Sequence, residues 1–342
     1  MTAFRLLADD LTGALDSAAR FAGRFGPLPV GWTDDSGADV LALDSATRDL
    51  PQAEAVARVA ALAPALAGCD LAFKKIDSLL RGHVAAELAA CLDAGHFNAV
   101  AIAPAFPAQG RIMRHGRQLA HGHDVGVDLA AEMAALGVAV TLRRAGDMLP
   151  PGVSLWDAES DADLAAIARL ERGRVLWCGT GGLAGALGGT VPRLAAPLPA
   201  PVLALSGSAH PVAATQLGHC TLRLSLTGPD DASVPGHGTA IDVALPTGLS
   251  HAEAAPRIAA AFAALLARIA RPGALIVAGG ETLHAICAAL SADYLRVEGE
   301  VAPGIPLSRV AGGRWDGLTV VSKSGAFGDA HLLARLLNGD PA

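Results

Sequence analysis

The chain has 342 residues, 52% of them hydrophobic and 17% charged, a size and mixture that exceed one ordinary hydrophobic core and exclude a disordered polymer. Its formal net charge of −7 speaks against general nucleic-acid affinity, so the expected partner is a small molecule. No apolar run reaches the roughly 20 residues that cross a bilayer, and no leader of basic, apolar and small-residue segments precedes the first strand, so a cytoplasmic protein without membrane contact is expected.

Short β-branched or apolar runs alternate with Ala-rich helical stretches along the first half. In order they are strand Phe4–Ala8 and helix Ala14–Arg24, strand Val40–Ala42 and helix Pro51–Ala67, strand Leu71–Lys74 and helix Val84–Ala94, then strand Ala99–Ala103. Leu129–Leu136 with Val138–Leu142 and Asp161–Leu170 with Arg174–Trp177 continue the alternation. Such a pattern predicts a parallel sheet covered by helices, because parallel neighbours need crossover connections. Four prolines and two glycines between Gly188 and Pro201 disfavour helix and strand alike and read as a linker. A second set of units follows, with strand Val202–Leu205, helix Pro256–Ala270, and strands Leu275–Ala278 and Leu318–Val321; Thr227–Gly238 reads as loop. The expected fold class is thus α/β, with two domains, 1–195 and 196–342, each a mainly parallel sheet flanked by helices. The five cysteines (Cys69, Cys91, Cys178, Cys220, Cys287) stand far apart, with no metal-binding spacing, and read as reduced, mostly buried thiols.

Several strand ends carry polar loops, and in open α/β sheets the carboxyl ends of strands line the ligand crevice. Asp9 and Asp10 follow the first strand, placed to meet substrate hydroxyls or to cap the next helix. Lys75, Asp77, Ser78 and Arg81 follow the third, a set suited to a ligand bearing both a carboxylate and hydroxyls. Arg81 could grip the carboxylate through its planar fork, or these charges could merely pair among themselves as Lys75–Asp77 or Arg81–Glu87. Gln109 and Arg111, after Ala99–Ala103, offer donors to an oxyanion.

In the second half, Ser206, Gly207 and Ser208 let backbone N–H groups approach phosphate oxygens at a helix start. No Walker A sequence occurs anywhere in the chain. Gly279, Gly280, Glu281 and Thr282 form an anion-compatible turn in which Glu281 could reach Mg²⁺ or water. Lys323, Gly325 and Gly328 set a lysine beside a glycine turn, a combination suited to charge on a β- or γ-phosphate. The spacing His121-Gly122-His123 reads as a surface loop ahead of a metal site.

Taken in order, ADDLTGALD (8–16), KIDSLLRG (75–82), PAFPAQGR (104–111), GTGGLAGAL (179–187), SGSAHPVAATQ (206–216), AGGET (278–282), PGIPL (303–307) and KSGAFG (323–328) resemble the four-carbon acid sugar kinase family. The resemblance implies an N-terminal domain holding the acid sugar through Asp9, Asp10, Lys75, Asp77, Ser78 and Arg81. It implies a C-terminal domain surrounding nucleotide with Ser206, Ser208, Gly279, Gly280, Glu281, Thr282, Gly304, Gly325 and Gly328, and an active site in the cleft between the domains. ATP and Mg²⁺ are the implied cofactors, and threonate, erythronate and 3-oxo-tetronate are substrates of the implied type. Lys323 would stabilise phosphate charge, and Asp10 or Asp77 would accept the hydroxyl proton. Leu79 and the run Ile112–Gly116 depart from the family pattern and bear on which acid is used. A kinase for another small hydroxy acid and a catalytically impaired metabolite- and nucleotide-binding protein are the competing readings. A homodimer is the base-rate expectation for assembly.

Overall fold

The structure, a computed structural model, describes residues 3–33, 38–95, 97–170, 173–194 and 197–340. The chain divides into two compact units, Met1–Val191 and Pro192–Ala342. Residues 195 and 196, where the expected boundary falls, lie outside the described residues.

In the N-terminal unit the elements run β1 (Phe4–Ala8), α1 (Leu11–Phe25), β2 (Leu28–Gly31), β3 (Val40–Asp44), α2 (Gln52–Leu62), β4 (Leu71–Lys75), α3 (Val84–Ala94) and β5 (Ala99–Ala103). They continue with β6 (Arg111–Arg114), β7 (Arg117–Ala120), β8 (His123–Asp124), α4 (Leu129–Ala135), β9 (Val140–Arg144), β10 (Gly152–Asp157), α5 (Asp161–Ala168), β11 (Val175–Gly179) and α6 (Gly181–Gly188). The main strands pair in parallel in the order β2-β3-β1-β4-β11-β5-β10-β9. Helices α1, α5 and α6 pack together, as do α2, α3 and α4, which covers both faces and explains why β4, β5 and β11 are buried along their whole length. Phe4, Phe21, Phe25 and Phe73 form an aromatic cluster with centroids 4.4–6.3 Å apart, each pair worth about 0.5–1.5 kcal/mol beyond its burial.

Helix α1 begins three residues before the expected Ala14. Asp10, in extended conformation, accepts a hydrogen bond from Gly13 N at 3.0 Å and caps the first turn. From Arg111 onward, β6, β7 and β8 form a three-stranded antiparallel sheet of their own, and His123, expected in a surface loop, lies on β8.

The C-terminal unit holds β12 (Val202–Ser206), α7 (Pro211–Gly218), β13 (Leu222–Leu226), β14 (Thr239–Val243), α8 (His251–Arg268), β15 (Ala274–Ala278), α9 (Gly280–Ala289), β16 (Tyr294–Ala302), β17 (Ile305–Ala311), β18 (Thr319–Lys323) and α10 (Leu332–Asn338). Strands β13-β14-β12-β15-β18 are parallel, and β17 and β16 extend the sheet as an antiparallel hairpin. Helix α8 starts five residues ahead of the expected Pro256. Ser250 and Glu253 form a capping box, with Glu253 accepting from Ser250 N at 2.8 Å and from its hydroxyl at 2.6 Å, and Pro256 falls in the second turn. No helix among the described residues is long and apolar enough to cross a membrane.

Candidate functional site

Strand register aligns the polar loops of the N-terminal unit. Asp44, Ala8, Lys75, Gly179 and Ala103 are successive cross-strand partners on β3, β1, β4, β11 and β5. The loops carrying Ser45–Arg48, Asp9–Asp10, Asp77–Arg81 and Pro104–Arg111 therefore all leave the sheet from one row at its carboxyl end.

At the centre of the row stands Arg48, which the sequence reading did not single out. Its Nε and Nη2 grip Asp9 side-on at 2.7 and 2.9 Å, Nη2 also meets Asp10 Oδ1 at 2.6 Å, and Asp77 Oδ1 lies 3.8 Å away. Backbone bonds from Thr47 N and Arg48 N to Asp9 O, at 2.9 and 3.2 Å, fasten the two loops together. Burial alone would push the Asp9 carboxyl up, but Arg48 and Lys75 outweigh it and hold the group below its ordinary range. Asp44 accepts from Ala46 N at 2.8 Å, but no cation pairs with it among the described residues. Burial raises it to about 7, with a small contribution from the neighbouring Asp10 and Asp9 charges.

Asp77 organises its own turn. Its Oδ2 accepts from Leu79 N and Arg81 Nε, both at 2.9 Å, and its Oδ1 from Arg81 Nη2 at 2.7 Å. Leu80 is buried and held at φ 57°, a left-handed conformation that a branched side chain adopts only under constraint. Against the upward push of burial, the Arg81 and Arg48 cations keep Asp77 well below the usual carboxylate range. Arg81 pairs with Asp77 and not with Glu87, so its fork is already filled. Lys75 donates to Ile76 O at 2.8 Å, and a Cβ added at Gly13 would sit 2.9 Å from its Nζ.

Behind the row runs a buried relay. Lys74 Nζ donates to Glu87 Oε2 at 2.7 Å, Thr47 Oγ1 to Glu87 Oε1 at 2.6 Å, and the Ser45 hydroxyl, 2.8 Å from that of Thr47, bonds Ala8 O. Burial works against the Lys74 ammonium, but Glu87 prevails and raises it above its ordinary value. Glu87→Leu should therefore destabilise the protein by about 3–5 kcal/mol in urea unfolding, because it strands a buried cation. Adding Lys74→Met should restore most of the loss.

The last loop of the row is latched by Gln118, fully buried on β7. Its Nε2 donates to Ser78 O at 2.9 Å and to Pro104 O at 3.2 Å. Ser78 thus contributes a carbonyl to this latch, while Gln109 accepts from Arg111 through its backbone oxygen at 2.9 Å and its side-chain Oε1 at 3.4 Å.

A second row lies in the C-terminal unit, where Ser206, Ala278 and Lys323 are cross-strand partners. Gly207 N donates to Ala278 O at 3.2 Å and Gly279 N to Lys323 O at 3.1 Å, which draws three glycine turns side by side. Close approach explains the glycines. A Cβ at Gly207 would collide with Thr282, one at Gly325 with Ser208, and Gly279 opens α9 at φ 114°, a conformation reserved for glycine. Gln216 ties the last turn down, its Nε2 donating to Phe327 O at 3.1 Å and Asp329 O at 2.8 Å on either side of Gly328. Gly280 and Thr282 lie in the first turn of α9, and Ser206 is buried with its hydroxyl unpaired. Gly304 sits in the β16–β17 turn at φ 72°, donating to Glu300 Oε1 at 3.2 Å. Glu281 is half exposed and pairs with His251 at 3.1 Å.

Lys323 is 1% exposed and its Nζ reaches only Gly325 O, at 3.4 Å. No carboxylate pairs with it among the described residues, and burial lowers it to about 8. A buried ammonium with no counter-ion among the described residues, at the meeting of three glycine turns, has a charge that an anion would balance.

Arg48, Asp44, Thr47 and Gln118 are the residues that the sequence reading passed over. Asp44-Ser45-Ala46-Thr47-Arg48 has the same form as the loops it did single out, a buried strand running into a charged turn, so that signal was present. Gln118 carries no such mark. Among the described residues no three His, Cys, Asp or Glu side chains gather to hold a metal ion.

These two rows, one of carboxylates and cations and one of glycines around a lysine, belong to a class of two-part α/β proteins. Residues 4–139 match the model of a sugar-binding N-terminal domain and residues 238–333 that of a nucleotide-binding C-terminal domain. The chain is 33% identical to the D-threonate kinase of Cupriavidus necator and 32% identical to that of Bordetella bronchiseptica, each match covering 96% of this chain and 95% of the relative. It belongs to the four-carbon acid sugar kinase family. The first of these alignments runs over 420 positions, so that relative carries stretches this chain lacks. Crystal structures from Salmonella typhimurium LT2 (TM-score 0.74, 20% identity, 98% of both chains) and Haemophilus influenzae (TM-score 0.69, 18% identity, 98% of this chain and 99% of the other) share the fold.

Proposed function

We propose that this protein transfers the terminal phosphoryl group of ATP to a hydroxyl of a four-carbon sugar acid of the threonate, erythronate or 3-oxo-tetronate type. The observation that carries the reading is Lys323, a buried cation that no carboxylate among the described residues pairs with, set among glycine turns whose N–H groups can face phosphate oxygens. Near-full-length similarity to D-threonate kinases supports the choice of acceptor.

Phosphoryl transfer asks little covalent chemistry of a protein; it needs alignment, charge neutralisation and exclusion of water. The glycine-turn amides and Lys323 would hold the phosphates. The Asp9 and Asp77 carboxylates, kept ionised by Arg48, Lys75 and Arg81, would accept hydrogen bonds from substrate hydroxyls together with that of Asp10. Asp10 is the most open of the three, with its side chain 19% exposed, and is assigned to take the hydroxyl proton. Mg²⁺ fits as an ion that arrives on the nucleotide, since such an ion keeps its waters and takes only one or two carboxylates. The half-exposed Glu281 in the Gly279–Thr282 turn is suited to meet it. When bound, the ion would neutralise charge on the phosphate oxygens.

The test is ADP release from Mg-ATP across a panel of C4 sugar acids, with Asp10→Asn alongside. Turnover with at least one acid is expected, with kcat in the variant reduced about 10²–10⁴-fold at unchanged ATP affinity. Binding of both ligands without turnover of any acid would leave a metabolite- and nucleotide-binding protein instead.

A further inference from the structure

Arg48, Lys75, Arg81 and Arg111 stand at the carboxyl ends of β3, β4 and β5 or in the loops that follow, and the first three have their charge balanced or sit among carboxylates. Arg48 spends its Nε–Nη2 edge on Asp9 and reaches Asp10 as well. Arg81 spends the same edge on Asp77. Lys75 lies among these groups, its charge helping to keep both Asp9 and Asp77 ionised.

Arg111 differs. Its hydrogen bonds run from Nη1 alone, to the two neutral oxygens of Gln109. Its Nε is buried and unpaired, and no carboxylate pairs with it among the described residues. Burial lowers its proton affinity, against an attraction from Asp77 and with a further repulsion from Arg81. The Gln118 latch on Ser78 O and Pro104 O holds the strand behind it against the Asp77 turn. The edge that Arg48 and Arg81 use to seize carboxylates is left without one in Arg111.

The geometry points to Arg111 as the receptor for the carboxylate of the acid substrate, bound side-on through Nε and Nη2, with the hydroxyls of the same molecule turned towards the Asp9–Asp10–Asp77 group. This deepens the kinase reading and rests on it for the identity of the ligand. A planar carboxylate matches the guanidinium fork and supplies the acceptor that the buried N–H lacks. Arg81, offered by the sequence as the clamp, is instead the keeper of Asp77. A neutral polyol of the same length gains nothing from Arg111, so this residue would separate acids from their uncharged analogues.

The experiment measures equilibrium binding of D-threonate and of its uncharged counterpart D-threitol to the full-length protein, to Arg111→Met and to Arg111→Lys. For Arg111→Met we expect a loss of about 10- to 100-fold in D-threonate affinity, with D-threitol and ATP affinities unchanged. Arg111→Lys, which keeps the charge but not the fork, should fall between. Equal D-threonate affinity in all three proteins, an equal loss on both ligands, or no D-threonate binding by the unaltered chain overturns the assignment. Circular dichroism and the unchanged ATP affinity report folding; should Arg111→Met not fold, the D-threonate to D-threitol ratio in Arg111→Lys decides. Because binding needs no turnover, a selective loss in a protein that releases no ADP would sink the kinase reading and leave Arg111 in place.

Discussion

Lys323→Met should lower kcat/KM for ATP by about 10²–10³-fold, the range seen when one preorganised charge-stabilising group is removed, while leaving binding of the sugar acid alone. The same residue sets a pH dependence. With its ammonium held at about 8 by burial, the free protein loses the cation as pH rises through that value, so the KM for ATP should climb above pH 8. Its effect on stability runs the other way. The folded value lies below the unfolded 10.5, so the unfolded chain holds the proton more tightly, and the folded state carries its full penalty below about pH 8. The penalty disappears as pH rises towards 10.5. Lys323→Met removes it and should be more stable than the parent at pH 7 by on the order of 1–3 kcal/mol, a trade of stability for activity measurable by urea unfolding beside the kinetic loss. A methionine variant that is inactive and also less stable would contradict the view of Lys323 as an unneutralised cation.

Arg48→Met should be costly in the opposite sense. It strips Asp9, Asp10 and Asp77 of the cation they share, and removing one partner from a buried ionic group costs about 3–5 kcal/mol. The folded values of Asp9 and Asp77 lie below the unfolded 3.8, so the stability they provide is present above pH 3.8 and is lost as pH falls through the folded values. Without Arg48, burial drives the Asp9 carboxyl upwards, so the variant's deficit should be greatest at neutral pH and shrink on acidification. Urea midpoints at pH 7 and pH 5 test this, and a deficit that does not narrow would refute it. Arg48→Lys should recover only part of the loss, because an ammonium cannot reproduce the side-on grip on Asp9.

Much of the architecture was legible because buried parallel strands leave a strong signature. Runs such as Leu71–Phe73 and Leu275–Ala278 are apolar throughout and end in charged or glycine-rich segments, and the row that joins Ser206, Ala278 and Lys323 follows from where such runs stop. Edge and hairpin strands were less visible. The β6–β8 sheet is built from Arg111–Arg114 and Arg117–Ala120, whose alternation is broken by charge, and the antiparallel β16–β17 pair is fixed by a turn at Gly304 that resembles any other glycine. The start of α8 was misplaced because Pro256 looked like a first-turn residue, whereas the Ser250–Glu253 box governs it. Among site residues, Asp9, Asp10, Asp77 and Arg81 could be proposed from local spacing. Arg48 meets them across a separation of 38 and 39 residues to Asp10 and Asp9, and only the register of β1 against β3 brings it there.

The doublet Lys74–Lys75 carries an implication for how such chains can diverge. Successive strand residues face opposite sides of a sheet, and here one lysine meets Glu87 on α3 while the other comes close to Gly13 on α1. Insertion or deletion of a single codon in β4 would exchange the two cations, setting the wrong one against each helix and dragging Asp77 out of line with Arg48. Length variation among relatives should therefore collect in exposed stretches such as 227–238 and be absent between Leu71 and Arg81.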